Sequence, residues 1–188
     1  MSLRIWDAIF FKDITEGECL WPEFVAHIPE LKALEGMEQP PDYHKYDGKM
    51  HTLYAVLYAP DDSIVKMAAL FHDIGKPLVK EWSKEKGRII FHKHADASAE
   101  ITERTLKRFC VQEPSLTQVV ELVRAHEFQY SPEWSDKAVR RLMRKLDIRQ
   151  LAALRRADLQ AQGADAKHEN DEKMKVYALL SRASTLTL

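Results

Sequence analysis

An apolar stretch, Ala68-Ala69-Leu70-Phe71, runs directly into His72-Asp73 and then into Ile74-Gly75-Lys76-Pro77. Any fold that buries the apolar part draws an imidazole and a carboxylate toward the interior with it. Leaving such groups there without partners is costly, so the pair needs a reason. Imidazole and carboxylate together suit divalent first-row metals, and neither alone fixes one. His51, His94, His126 and Asp158 supply further candidates, all in stretches that read as helix or helix end. Each has a plainer reading. His72 and Asp73 would cap a helix and satisfy one another, and His51 would be a core histidine. Asp158, after Arg155-Arg156, would be a surface ion-pair partner. His94 and His126 would cap helix ends. Six candidates in one chain weigh against taking all of these at once.

Taken in order, His51, His72-Asp73 and Asp158 resemble the signature of the HD superfamily of metal-dependent phosphohydrolases. The flanking segments are similar to the C-terminal half of bacterial tRNA nucleotidyltransferases. Before the pair stand Pro29-Glu30-Leu31, Gln39, His44-Lys45-Tyr46-Asp47 and His51-Thr52-Leu53. After it come Phe91-His92-Lys93-His94, Val123-Arg124-Ala125-His126 and the run Arg156-Ala157-Asp158-Leu159-Gln160-Ala161-Gln162-Gly163. The likeness spans residues 28–163, with Ser98 where that pattern often has glycine.

The resemblance implies a fold, a ligand set and a chemistry. The fold would be an all-α HD-domain helical bundle. His51, His72, Asp73 and Asp158 would hold a divalent cation, with Mn, Ni, Co, Zn, Fe and Mg all admissible. Asp73, Lys76, His94 and His126 would serve catalysis. In HD relatives with two metals, histidines at places comparable to His94 and His126 ligate the second ion. In one-metal relatives they face the substrate phosphate, and the nucleotidyltransferase likeness favours one ion over two. His44 would lie at the mouth of the site, while His92 has no family match and points outward. Lys76, three residues beyond Asp73, would hold a phosphate as a mobile point charge. Its alternative is a solvated lysine past a helix end.

Helical periodicity dominates the chain. Helices are expected over Trp21–Leu34, Lys49–Tyr58, Ser63–Ile74, Ala95–Phe109, Ser115–His126, Asp136–Leu146, Asp147–Gln162 and Asn170–Ser181. Asp62 or Ser63 would start the third of these as N-cap. Pro40-Pro41 makes Met37–Tyr46 a loop that delivers His44. Lys84–Gly87 reads as a turn before a short extended piece, Arg88–Phe91. Gly163–Glu172 reads as a polar link. The outcome is one domain, residues 1–188, with its core over about 28–163 and the terminal helices packed on it. Consecutive helices joined by a short turn pack antiparallel, so His51 and His72-Asp73 can converge.

With 45% apolar and 30% charged residues the composition is that of a soluble globular protein. A net charge of −1 argues against a general polyanion binder. Two isolated cysteines, Cys19 and Cys110, give no disulfide framework and fit a reducing compartment. The first residues lack the apolar stretch of a secretion signal, and nothing approaches the ~20 apolar residues of a membrane span. A cytoplasmic protein with no membrane partner is expected.

Two functions fit. One is a phosphohydrolase for a nucleotide or another small phosphate ester. The other is a non-catalytic module that binds RNA or a partner around a structural metal. No Gly-Ser motif precedes paired aspartates, so nucleotide addition is not expected. Between Asp136 and Arg156 the chain gathers Lys137, Arg140, Arg141, Arg144, Lys145, Arg149, Arg155 and Arg156, with Asp147 the one acid inside. A solvated helix face is the usual meaning of such a run, and contact with a polyphosphate or RNA is the alternative, though no interleaved aromatic ladder supports single-strand stacking.

Overall fold

The structure, a computed structural model, describes residues 3–163 and 166–186. Helix α1 (Leu3–Ala8) precedes α2 (Ile14–His27), which starts where Asp13 Oδ1 accepts the Glu16 amide at 2.9 Å. The chain cannot stay helical through Ile28, because a residue before proline is pushed out of the α region. Ile28 has φ −128° and ψ 77°, and Pro29–Leu34 continues as a 3-10 turn. The single helix expected over Trp21–Leu34 is therefore two elements. Pro22 lies well inside α2 rather than in a first turn.

Helix α3 (Gly48–Tyr58) carries His51. Asp47 caps it, one oxygen accepting from Met50 N at 2.8 Å and the other from Gly36 N at 2.9 Å. Helix α4 (Ser63–Phe71) is capped by Asp62, which accepts the Ile64 and Val65 amides. Lys66 is buried in it, and its ammonium donates to Val56 O and Ala59 O at 3.0 and 3.2 Å. A cation thus closes the carbonyl end of α3 from the neighbouring helix. Every residue of α4 from Val65 to Phe71 is buried, and the helix packs against α3. Burying Leu70 or Phe71 contributes about 1.5–3 kcal/mol each.

His72 caps the end of α4, and α5 (Lys76–Val79) follows within one turn. Strands β1 (Lys80–Ser83) and β2 (Arg88–Phe91) pair antiparallel, Lys80 opposite Phe91 and Ser83 opposite Arg88. The extended piece at Arg88–Phe91 is present, and its partner strand is an addition to the expected elements. Next come α6 (His94–Arg108), α7 (Ser115–Ala125), α8 (Asp136–Met143) and α9 (Ile148–Gln162). Helix α8 stops at Met143, short of the expected Leu146.

Helix α10 (Ala166–Thr185) packs on α9 and α8. It replaces most of the polar link expected over Gly163–Glu172, of which Ala164 and Asp165 lie outside the described residues. The polar run from Lys167 to Lys173 hides a helix, because its first turns carry no apolar stripe. Apart from the hairpin the architecture is all-α. Helix α4 lies in the middle, flanked by α3, α6, α7 and α9, and these five elements supply the site. No helix among the described residues is long and apolar enough to cross a membrane.

Candidate metal centre

Five chain segments bring six acid and imidazole side chains into one buried place. His51 comes from the first turn of α3, and His72 and Asp73 from the end of α4. His94 opens α6, His126 caps α7, and Asp158 lies on α9. None of the six is more than 5% exposed. His51 Nε2 lies 3.0 Å from His72 Nε2, 3.2 Å from Asp158 Oδ1 and 3.2 Å from Asp73 Oδ2. On the other side, His94 Nε2 lies 3.1 Å from His126 Nε2 and 3.2 Å from Asp73 Oδ1. Two triads result, His51 with His72 and Asp158, and Asp73 with His94 and His126, each able to hold a cation. Asp73 turns one oxygen to each.

The rings are held by the backbone. His72 Nδ1 donates to Ala69 O at 2.7 Å, His94 Nδ1 to Phe91 O at 2.9 Å and His126 Nδ1 to Val123 O at 2.7 Å. A carbonyl only accepts, so each Nδ1 carries a proton, and each ring turns its Nε2 into the centre. Three ring nitrogens converging beside carboxylate oxygens need a proton or a metal between them. Orientation of ligand imidazoles through the second nitrogen is the usual support of a metal site. His51 differs, since its buried Nδ1 has no partner among the described residues.

Electrostatics follow from this crowding. Burial alone would lower the His51 pKa, but hydrogen bonds to Asp158 and Asp73 raise it from 6.5 to about 9. Burial, with the nearby His72 and His94, pushes His126 down to about 3. Both carboxyls are held well below their usual range against the cost of burial. His72 and Lys76 do so for Asp73, and His51 and Arg155 for Asp158.

Lys76 is 4% exposed, so it is not a solvated lysine. Its ammonium lies 2.7 Å from Asp73 Oδ2 and donates to Gln39 Oε1 at 2.6 Å. Its contacts are thus with protein groups. His44 sets its ring edge-on to His51 at 4.8 Å between centroids and lines a cleft of about 720 Å³ with Gln39, Lys45, Trp82 and Arg88. His92 is exposed, away from the cluster. Arg155 is the group the sequence reading undervalued. It is buried and donates through Nη1 to Asp158 Oδ2 at 2.7 Å, while Nη2 lies 3.5 Å from Glu172. The signal was present as an Arg–Asp spacing of three on a helix.

The donor set suits a borderline divalent ion: imidazole nitrogens and carboxylate oxygens, preoriented and buried. The chain is 35% identical to the CC-adding tRNA nucleotidyltransferase of Thermus thermophilus over 128 residues, which is 65% of this chain and 29% of that protein. It is 31% identical to the A-adding tRNA nucleotidyltransferase of Deinococcus radiodurans over 106 residues, 54% of this chain and 24% of that protein. Against the Multifunctional CCA protein of Herminiimonas arsenicoxydans it is 30% identical over 105 residues, 53% and 24% of the two chains. The matches thus span about a quarter of these relatives' length. The model of the HD domain matches residues 48–180, which include His51, His72, Asp73, His94, His126 and Asp158. The chain belongs to the HD domain family.

Proposed function

We propose that the protein is a metal-dependent phosphohydrolase acting on a nucleotide or another small phosphate ester, with two ion positions sharing Asp73. The observation that carries this reading is the convergence of both triads on one carboxylate, with the tautomers of three imidazoles fixed by backbone carbonyls. His51, His72 and Asp158 would hold one ion, and His94 and His126 the other. This arrangement offers two positions where the sequence alone favoured one. An ion in such a site supplies Lewis acidity toward a phosphate oxygen and lowers the pKa of a water to near neutrality.

The chain's own groups do the rest. Lys76 offsets charge on Asp73, which otherwise serves both positions. Arg155 fixes the carboxylate plane of Asp158, so that Oδ1 faces His51. The cleft beside His44 is larger than a phosphate requires. Its exposed Trp82 indole and its Lys45 and Arg88 side chains suit a flat base and an anionic ester, which supports a nucleotide substrate. The relatives' names refer to tRNA, which makes RNA a second class of partner. Free Cys19 and Cys110 fit a reducing, cytoplasmic setting.

Metal analysis of the purified protein, joined to a screen of phosphomonoesters and phosphodiesters, tests this. Bound metal with turnover supports the enzyme. Bound metal with no turnover on any phosphate ester selects a binding module with a structural ion instead.

A further inference from the structure

The basic run at the junction of α8 and α9 plays no part in the metal centre. Residues 137–149 hold six basic residues and one acid, in a chain whose net charge is −1, so the remainder is acidic. Lys137, Arg141, Arg144, Lys145 and Arg149 are all exposed. Among the described residues none of these five side chains has an ion-pair or hydrogen-bond partner. Arg88, Arg108, Arg124, Arg155 and Arg182 each sit against a carboxylate. Asp136, just before the run, pairs with Arg182 at 2.7 Å, and Asp147, inside it, accepts the Arg149 amide at 2.8 Å. This face therefore carries a net positive charge.

The face is also grooved. A cavity of about 480 Å³ lies between Trp134, Leu142 and the Arg141 and Lys145 side chains. A second, of about 520 Å³, adjoins it at Lys145 and reaches Gln118, Met143 and Ser184. Lys137, Arg141 and Arg144 rim a third. Lys137 and Arg141 are one helical turn apart, about 6 Å along the axis, and Arg144 and Lys145 extend the line by another turn. Cations in a row with half-buried apolar slots between them match a strand that alternates phosphates and flat bases. A membrane surface fits poorly, because Trp134, Leu142 and Met143 form groove walls and do not protrude. Gln118 and Ser184 in the deeper groove offer partners for a ribose 2′-hydroxyl.

From this geometry we infer that the α8–α9 face binds single-stranded RNA, at a site separate from the metal centre. Arg149 and Asp158 are nine residues apart on α9, about 14 Å along its axis. The inference does not depend on the proposed hydrolysis.

The test is fluorescence anisotropy with a labelled 20-nucleotide single-stranded RNA, on the full chain with and without Arg141→Glu/Arg144→Glu, over a range of salt. The wild-type chain should bind, and the double variant should bind at least tenfold more weakly. Its slope of log affinity against log salt should be shallower by roughly 1 to 1.5, for two lost phosphate contacts. Circular dichroism of the variant and its turnover of a small phosphate ester should match the wild type. Unchanged RNA binding by the variant would overturn the inference, and so would equal affinity for DNA of the same sequence. Binding to phosphatidylserine vesicles without binding to RNA would do the same. Loss of hydrolysis in both chains would count against the phosphohydrolase alone.

Discussion

Arg155 holds Asp158 in place: its Nη1 donates to Asp158 Oδ2 at 2.7 Å, leaving Oδ1 to face His51 and His72. Nη2 of the same guanidinium lies 3.5 Å from Glu172 on α10. The terminal helix is thereby tied to the candidate metal centre through one buried arginine. Arg155→Met keeps most of the side-chain volume and removes the fork. It should weaken divalent-metal affinity by about 10- to 100-fold, the usual effect of losing an outer-sphere partner. Metal titration against a chelating dye checks this, and affinity equal to wild type would remove Arg155 from the role.

Asp73 serves both triads, so its loss should empty both. Asp73→Asn should abolish turnover and bound metal while the helical content stays near wild type. Asp73→Ala should do the same and also unfold more easily, by about 3–5 kcal/mol, because the buried Lys76 ammonium loses its carboxylate. Adding Lys76→Met to Asp73→Ala should recover most of that stability without restoring metal. Urea melts of the three variants decide the point. Equal stability of the single and double variants would show that Lys76 does not depend on Asp73.

His126→Ala separates one ion from two. Its Nε2 lies 3.1 Å from that of His94 and 3.7 Å from Asp73 Oδ1, so it belongs to the second triad only. The variant should retain about one metal equivalent of two and lose most turnover. Retained metal with weakened turnover would instead make His126 a phosphate contact. No change in either would return it to a helix cap.

Three of the candidate ligands were legible in the sequence because they mark helix ends. His72 and His126 close apolar helical runs and His94 opens α6 after strand β2, and in each case the backbone presents a carbonyl three residues back for Nδ1. That carbonyl is a backbone fact, so no side-chain pattern announces it. Arg155 was read as a surface neighbour, since a basic pair beside an aspartate usually is one. Only the packing of α10 over α9 buries it, and the start of α10 was itself hidden in a polar run. The partner strand Lys80–Ser83 was missed for a similar reason: its residues are mostly exposed and lack the alternation of a half-buried strand. Local chemistry was readable, then, and long-range burial was not.

Gly75 fixes how the His72-Asp73 turn meets α6. A Cβ there would overlap the Ser98 amide nitrogen and stand 2.8 Å from Ala97 C, both backbone atoms. The Gly75 amide also donates to Ser98 Oγ at 2.9 Å. Gly75→Ala should destabilise by about 1–3 kcal/mol through overpacking and displace His94 from Asp73. A thermal melt measures the first effect and metal affinity the second. Wild-type values of both would show that α6 can retreat without consequence.

The last expectation concerns pH. In the metal-free protein His51 holds its proton up to about 9, because Asp158 and Asp73 outweigh the cost of burying the charge. A folded pKa above the ordinary value of 6.5 stabilises the metal-free fold fully below pH 6.5. That contribution fades as pH rises through about 9. Metal binding has the opposite sign, since the ion needs the lone pair that the proton occupies. Apparent metal affinity should therefore climb by up to roughly tenfold per pH unit between 6.5 and 9 and then level off. Calorimetric titrations at pH 6.5, 7.5 and 8.5, each in two buffers of different ionisation enthalpy, measure both the affinity and the proton released. Thermal melts of the metal-free protein should show its midpoint falling over the same window. Metal affinity that does not change between pH 6.5 and 8.5, with no proton released, would mean that His51 enters the site already neutral.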